Sequence, residues 1–131
     1  MKNNKIIGNE FEKEFATFLQ EKGMFVYNVP NKHTGQPFDI IAIKNNVFYG
    51  FECKSCKGNV FSLSRVEDNQ VQAFKKLQKS NTSNYYFVFK SEGFNTVKFC
   101  GADYIMDCLR YMRKNIDLSI FKSIEELEMI L

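Results

Sequence analysis

Two apolar segments of this chain each carry charged residues where a buried strand would normally have none. Asp39 lies within the run Phe-Asp-Ile-Ile-Ala-Ile, and Glu52 and Lys54 lie within the later run Phe-Glu-Cys-Lys. Burying a carboxylate is unfavourable unless a metal ion, a cation or hydrogen bonds compensate its charge. These three residues therefore predict a divalent-metal site beside a positioned lysine.

The spacing of these residues predicts that they face one another. Side chains alternate across a strand, so Glu52 and Lys54 point to one face and Cys53 to the other. A polar turn at residues 44–46 joins the two apolar runs and predicts a hairpin that folds Asp39 back towards Glu52. Neighbouring carboxylates repel each other when empty and bind Mg²⁺ or Mn²⁺ when filled. An alternative stays open, in which Glu52 and Lys54 form a solvated pair on an edge strand.

The order Asp39, then Glu-Cys-Lys at 52–54, resembles the active-site motif of the PD-(D/E)XK nuclease superfamily. The segment Gly-Asn-Glu-Phe-Glu resembles the first helix of archaeal and RecU-type Holliday junction resolvases, in which a glutamate joins the metal site. By the Gly-X-X-X-Glu spacing, Glu12 matches that glutamate, and its neighbours Glu10 and Glu14 remain alternatives.

The resemblance extends over roughly residues 8–100. Residues 59–70 resemble the RecU pattern of a short strand that leads into a helix with a glutamine, and Gln70 matches that glutamine. RecU enzymes also carry a long inserted stalk, which has no counterpart between Val29 and Asp39. The resemblance implies an α/β fold with a restriction-endonuclease-like core, in which helices flank a central mixed β-sheet.

The resemblance also implies how the site works. Asp39, Glu52, the backbone carbonyl of Cys53 and Glu12 would hold Mg²⁺, for which Mn²⁺ can substitute. Lys54 would orient or deprotonate the attacking water and offset the charge that builds on the phosphate.

Gln70 is implied as a further catalytic residue, which would hydrogen-bond the catalytic lysine, a water or a phosphate. From the residue alone, an ordinary polar position on a helix face is the competing interpretation.

The implied reaction is the hydrolysis of DNA four-way junctions to products with 5′-phosphates. Because a junction has two symmetric strands to cut, a homodimer is implied as well. Two alternatives remain: a restriction- or repair-type nuclease of the same superfamily acting on duplex or flapped DNA, and a non-catalytic DNA-binding module of the same fold.

Candidate contacts to DNA lie in a loop-like segment and among the lysines. The segment Asn-Lys-His-Thr-Gly-Gln-Pro leads directly to Asp39, so its side chains are expected beside the site. The candidates are Lys32, His33, Thr34, Gln36, Lys57 and Lys75. His33, the only histidine, is interpreted as a loop residue or DNA contact rather than a general base. Solvated surface lysines are the competing interpretation for Lys57 and Lys75.

The elements that must position these residues follow from hydrophobic periodicity and from turn and capping signals. Helices are expected over about 9–22, ending at Gly23, and over 103–114 and 123–131. A further helix is expected to open with a capping box from Ser64 to Glu67. Expected strands span 24–29, 40–43, 47–54, 60–63, 85–89 and 95–99, with a basic turn at 55–59. The terminal helix is expected to close the core or to form a dimer contact.

Composition is that of a globular protein. The chain has 131 residues, 44% of them hydrophobic, with 14 phenylalanines and a net charge of +3. This length favours one domain over residues 1–131. No run approaches the roughly 18 apolar residues that a membrane span needs, and the beginning of the chain does not resemble a secretory signal, so a cytoplasmic protein is expected.

Overall fold

The computed structural model describes residues 3–30, 37–92 and 96–131. Within these ranges the helices are α1 (Asn4–Glu21), α2 (Asp68–Lys79), α3 (Ala102–Arg110) and α4 (Ile124–Leu127). The strands are β1 (Phe25–Asn28), β2 (Ile40–Lys44), β3 (Val47–Cys56), β4 (Val60–Ser62), β5 (Tyr85–Ser91), β6 (Val97–Gly101), β7 (Asn115–Asp117) and β8 (Lys122–Ser123). Short 3₁₀ turns span Leu63–Arg65 and Leu118–Ile120.

Six of these strands form one mixed sheet in the order β1-β2-β3-β5-β6-β8. Strands β3 and β5 run parallel, and the other neighbours in this sheet run antiparallel. The α1 side chains pack with one set of strand residues, whereas α2 and α3 pack with the alternate set, so helices cover both faces. This arrangement confirms the predicted α/β fold with a central mixed sheet flanked by helices.

Helix α1 begins five residues earlier than the periodicity predicted. The side chain of Asn3 accepts a hydrogen bond from the backbone N–H of Ile6 at 2.9 Å, which caps the helix within the polar segment that precedes the apolar stripe. The helix ends where it was expected to, because Gly23 adopts a φ of 82°. Phe11, Phe15 and Leu19 are buried on its inner face.

The predicted hairpin between β2 and β3 is present. Asn45 and Asn46 adopt φ values of 52° and 64°, the left-handed region that a tight two-residue hairpin turn requires and that asparagine tolerates. Lys44 pairs with Val47 across the turn, and Ile40 pairs with Phe51. The turn is therefore one residue shorter than predicted, and the register brings the start of β2 opposite the centre of β3.

Two predictions about the middle of the chain were wrong. The basic turn expected over 55–59 is shorter, because β3 continues through Cys56 and pairs with Ser91 at the end of β5. The helix expected from a Ser64–Glu67 capping box begins at Asp68, with Glu67 as its N-cap. The residues before it form the 3₁₀ turn Leu63–Arg65, whose first amide donates to the carbonyl of Lys114 at 2.9 Å.

The C-terminal part differs from the prediction as well. Helix α3 stops at Arg110 because Met112, at φ 59°, lies in the left-handed region, where the amides of Met112 and Arg113 close the helix on Leu109 and Cys108. Met112 is exposed and does not belong to the inner face of the helix.

Strand β7 follows α3 and pairs with β4, which the sequence did not predict. Helix α4 is a single short turn, and its Leu127 is buried with the core residues of α1. No helix of the described residues is long and apolar enough to span a bilayer.

Candidate active site

The candidate site lies where β2 separates from β3. The amide of Asp39 donates to the carbonyl of Phe51 at 2.9 Å, and β3 then continues to Cys56 with β5 as its ladder partner on the other side. The edge of β3 from residue 52 onwards is therefore open in front of Asp39. An open strand edge leaves backbone groups available for a ligand or a side chain.

Aromatic packing fixes the segment that enters β2. The hydroxyl of Tyr85 donates to the carbonyl of Pro37 at 2.7 Å, and its ring meets that of Phe38 edge to face with centroids 5.3 Å apart. Phe38 also lies against Gly50, where an added Cβ would come within 3.1 Å of the ring. These contacts determine where the next residue, Asp39, is placed.

Asp39 is buried, at 6% exposure, and its carboxylate is held by β3. Its Oδ2 accepts a hydrogen bond from the amide of Cys53 at 2.8 Å. The N–H and C=O groups of one strand residue point to the same edge, so the Cys53 carbonyl faces the same side as Asp39. The predicted pairing of the Asp39 carboxylate with this backbone carbonyl is therefore geometrically available.

Glu52 and Lys54 lie on one face of β3, as strand alternation predicted. They are 3% and 8% exposed, and Lys54 Nζ lies 3.4 Å from Glu52 Oε1. Lys54 Nζ also donates to the carbonyl of Arg65 at 3.2 Å. The structure thus excludes the alternative of a solvated pair on an edge strand. Glu52 Oε2 is buried without a hydrogen-bond partner among the described residues.

Glu12 reaches the same site from α1. It lines a cavity of about 550 Å³ together with Asp39, Glu52 and Lys54. Of the neighbouring glutamates, Glu14 forms an exposed ion pair with Lys90 at 2.6 Å, and Glu10 is exposed and does not line the cavity. The helix therefore presents Glu12, the position matched by spacing.

Two glutamates of the cavity, Glu12 and Glu52, are destabilised as anions. Burial, and then the nearby Asp39 charge, raise the pKa of Glu12 to about 7, although Lys54 opposes this shift. The same causes in the same order raise the pKa of Glu52 well above its usual value. Among the described residues the cavity is lined by four carboxylates, Glu12, Asp39, Glu52 and Glu92, and by three cationic side chains, Lys54, Lys57 and Arg65. A bound divalent cation would relieve the repulsion among the carboxylates that are buried there.

The donor set fits Mg²⁺ or Mn²⁺. The oxygens of Asp39, of the Cys53 backbone and of the unpartnered Glu52 Oε2 are the hard ligands that these ions prefer. Within residues 3–30, 37–92 and 96–131, no three His, Cys, Asp or Glu side chains form a group able to hold a metal ion. Mg²⁺ usually keeps several waters and takes one or two carboxylates, so two carboxylates suffice. Glu12 lines the same cavity, but it does not complete a group of three side chains able to hold an ion.

The predicted DNA contacts divide into one that lines the cavity, one that does not, and four that lie outside the described residues. Lys57 is exposed and lines the cavity, whereas Lys75 is exposed on α2 and does not. Lys32, His33, Thr34 and Gln36 lie outside the described residues.

Gln70 is buried near the start of α2 and has a local structural role. Its side-chain oxygen accepts a hydrogen bond from the amide of Glu67 at 3.0 Å, which completes the cap of the helix. Gln70 is not among the residues that line the cavity. Its catalytic role stays a prediction that this geometry does not itself support.

Sequence reasoning missed Arg65, which lines the cavity. Its Nη1 donates to the carbonyl of Ser55 at 2.8 Å. The signal for a role at the site was its position directly after the short strand that follows the Glu-X-Lys motif. The apparent capping box from Ser64 to Glu67 obscured that signal, because it placed Arg65 inside a helix.

Comparisons with known proteins agree with this geometry. The family model for archaeal Holliday junction resolvases (Hjc) matches residues 3–130. The Holliday junction resolvase RecU of Mycoplasmopsis pulmonis (strain UAB CTIP) is 33% identical over 60 residues, which are 46% of this chain and only 38% of that relative.

Two solved structures share the fold. That of Hjc, a Holliday junction resolvase from the archaeal hyperthermophile Archaeoglobus fulgidus, aligns with a TM-score of 0.67 at 18% identity, over 92% of this chain and 99% of that one. The structure of a bacterial homing endonuclease, I-Ssp6803I, aligns with a TM-score of 0.62 at 13% identity, over 90% of this chain and 76% of that one.

Proposed function

We propose that this chain, which belongs to the archaeal Holliday junction resolvase (Hjc) family, is a metal-dependent endonuclease that cuts four-way DNA junctions. The observation that carries the proposal is the convergence of Asp39, Glu52 and Lys54 on one cavity at the open edge of β3. A binding module would have no need to bury these charges at their cost in stability. Since the substrate is DNA, the proposed compartment is the cytoplasm.

Asp39, Glu52 and the Cys53 carbonyl would hold the divalent ion. When bound, Mg²⁺ or Mn²⁺ supplies Lewis-acid polarisation of the phosphodiester and neutralises its charge. The Cys53 amide orients Asp39 for this task, because it donates a hydrogen bond to Oδ2 at 2.8 Å. Glu52 and Cys53 lie on β3, and the same strand holds the carboxylate of Asp39, which favours precise geometry.

Lys54 supplies the fixed positive charge of the site. Glu52 Oε1 and the Arg65 carbonyl hold its ammonium on the cavity side of β3. A cation held in a partly desolvated cavity stabilises the charge that develops on the phosphate without reorganising during the reaction. Lys54 would also orient the attacking water, which enters through the cavity.

A cleavage assay tests the proposal. A labelled synthetic four-way junction, the matching linear duplex and single-stranded DNA are incubated with the protein in Mg²⁺, Mn²⁺ or EDTA. Paired symmetric nicks in the junction alone, absent in EDTA, are the expected result. Cleavage of every substrate would keep the nuclease and remove the junction specificity. Metal-independent binding without cleavage of any substrate would replace the proposal with the non-catalytic module.

We also propose that the protein acts as a homodimer. A four-way junction presents two equivalent strands, and a two-fold dimer presents two equivalent sites to them. Light scattering in solution, with and without a junction, measures the stoichiometry. Two protomers per junction are expected. A stoichiometry of one protomer per junction would contradict the dimer.

Metal binding should be visible without any DNA. Because the ion binds the folded site, Mg²⁺ at about a hundred times its dissociation constant should stabilise the protein by about 2.7 kcal/mol. Thermal unfolding in Mg²⁺ and in EDTA measures this shift. The shift should be lost in Asp39→Asn and kept in Asp107→Asn, which replaces an exposed aspartate of a surface ion pair on α3. An equal shift in both variants would place the ion elsewhere.

Glu12→Gln should slow cleavage by about 10- to 100-fold, the usual effect of removing a group that supports a metal site from beside it. The rate should recover partly at higher Mg²⁺ concentration, since the variant weakens the site without removing its ligands. Rates over a Mg²⁺ series measure the effect, with Glu21→Gln, an exposed glutamate at the end of the same helix, as control. Equal rates for the two variants would return Glu12 to an ordinary surface role.

A further inference from the structure

We infer that Arg65 binds a phosphate of the cleaved DNA strand next to the scissile phosphate, an inference that rests on the proposed nuclease function. Arg65 lines the cavity that contains Asp39, Glu52 and Lys54. It reaches this cavity from the 3₁₀ turn Leu63–Arg65 rather than from the sheet that carries the predicted metal ligands. The cavity is thus bordered by a second cationic group beside the catalytic lysine.

The guanidinium of Arg65 lies on the edge of β3 that faces Asp39. Its Nη1 donates to the carbonyl of Ser55 at 2.8 Å, and the amide of Cys53 donates to Asp39. Alternate residues of a strand direct their backbone groups to the same edge, so Ser55 and Cys53 share the open edge. Two residues along a strand correspond to about 7 Å. The guanidinium therefore lies at Ser55, about 7 Å further along the open edge than Cys53, whose amide holds Asp39.

The side chain is exposed but held in place. Its guanidinium carbon lies 5.6 Å from the centre of the buried Phe61 ring, and Nη1 lies 3.8 Å from the sulfur of Cys56. A cation stacked on an aromatic ring and fixed to a backbone carbonyl has little freedom left to lose. Binding a ligand then costs less conformational entropy than it would for a free surface arginine.

Most of the hydrogen-bond donors of Arg65 are left for a ligand. Within the described residues it forms no ion pair with a carboxylate, and Nη1 is the donor atom that its hydrogen bonds use. The Nε and Nη2 groups remain, and a guanidinium presents such donors as a planar fork that matches two phosphate oxygens. A nucleic-acid phosphate is the anion that the proposed reaction brings to this cavity.

The turn that carries Arg65 also positions the catalytic lysine. The Arg65 carbonyl accepts the hydrogen bond of Lys54 Nζ at 3.2 Å. One residue thus holds Lys54 through its backbone and would hold DNA through its side chain. A purely structural alternative, in which Arg65 only caps Ser55 and covers Phe61, would be satisfied by any neutral donor. That difference is what the experiment tests.

The test compares Arg65→Gln, which keeps a donor for Ser55 but loses the charge, with Arg65→Lys, which keeps the charge. Both are made in the Asp39→Asn background, in EDTA, so that the DNA stays intact. The affinity for a labelled four-way junction is measured over a KCl series. Arg65→Gln should weaken binding by about 10- to 100-fold and lower the salt slope by about one, the loss of one phosphate contact. Arg65→Lys should keep the slope.

Arg110→Ala is the matched control, because Arg110 is an exposed arginine that does not line the cavity. It should change neither the affinity nor the slope. If Arg65→Gln lowers the melting temperature but leaves the slope unchanged, the structural alternative is correct and the inference fails. If the parent protein does not bind the junction at all, the proposed function fails first, which is a different result.

Neutralising single phosphates with methylphosphonates locates the contact. With arginine at position 65, neutralising one phosphate beside the cut should weaken binding, and in Arg65→Gln the same substitution should have no effect. Coupling of this kind measures a direct interaction, because each change alone removes the same contact. The inference is overturned if every methylphosphonate weakens the two proteins equally.

Discussion

Asp39→Asn is expected to reduce junction cleavage by about a thousandfold without disrupting the fold. An asparagine side-chain oxygen can still accept the hydrogen bond that the Cys53 amide gives at 2.8 Å, so the local geometry is kept. The negative charge that the metal ion needs is lost. Single-turnover cleavage of the labelled junction in Mg²⁺ measures the effect.

The affinity of Asp39→Asn for DNA should be equal to or higher than that of the wild type, because one anion is removed from a surface that meets phosphates. Asp107→Asn is the control, since it removes an exposed carboxylate whose surface ion pair contributes little. Cleavage by Asp39→Asn within threefold of the wild type would show that the site is wrongly assigned.

The parts of the site that the sequence predicted depend on local rules. Strand alternation is a property of the backbone and puts Glu52 and Lys54 on one face. The Asn45-Asn46 turn sets the hairpin register, which in turn brings Asp39 opposite the centre of β3. Each inference needs only a few neighbouring residues.

The parts that the sequence did not predict depend on distant partners. Strand β3 extends to Cys56 because Ser91 pairs with it, and β7 forms because β4 lies beside it. No local signal in either segment states that these partners meet. Helix α3 ends at Arg110 because Met112 lies in the left-handed region, although methionine is not a residue that favours this region.

Arg65 shows why this matters for the site. Two overlapping capping patterns, Ser64 to Glu67 and Glu67 to Gln70, compete for the start of α2. The chain adopts the second pattern. The turn before it is fixed by a hydrogen bond that the amide of Leu63 donates to the carbonyl of Lys114, which is distant in sequence. Arg65 is thereby placed on a turn that borders the cavity.

The second large effect concerns stability. Lys54→Met keeps most of the side-chain volume but removes the cation that pairs with Glu52 at 3.4 Å inside the protein. Removing one partner of a buried pair leaves an uncompensated charge and costs about 3–5 kcal/mol. We expect a loss of this size in the free energy of unfolding, measured with urea in EDTA at neutral pH. Cleavage should be lost as well.

An exposed ion pair provides the control. Lys90 and Glu14 approach to 2.6 Å, closer than Lys54 and Glu52, but their side chains are 37% and 57% exposed. Lys90→Met should therefore cost less than about 1 kcal/mol. A similar loss in the two variants would show that burial of the pair is not the cause.

The loss of stability in Lys54→Met should depend on pH, and the pKa of Glu52 gives the direction of that dependence. Burial and the Asp39 charge raise the pKa of Glu52, and removal of Lys54, whose charge lowers it, raises that pKa further. A carboxyl whose pKa is higher in the folded state carries its full penalty above that pKa, and the penalty shrinks as the pH falls below it and is gone below the pKa of the unfolded chain. The difference between Lys54→Met and the wild type should therefore shrink on acidification.

Combining Lys54→Met with Glu52→Gln separates charge from packing. The double variant has neither member of the buried pair, and a glutamine in place of Glu52 brings no charge to bury. If the uncompensated carboxylate causes the loss, the double variant recovers most of the stability while cleavage stays absent, since both a ligand and the lysine are gone. If the double variant is no more stable than Lys54→Met, the loss comes from the hydrogen bond of Lys54 to the Arg65 carbonyl and from its packing. Recovery of stability without recovery of cleavage would mean that the buried pair is retained for catalysis at the expense of the fold.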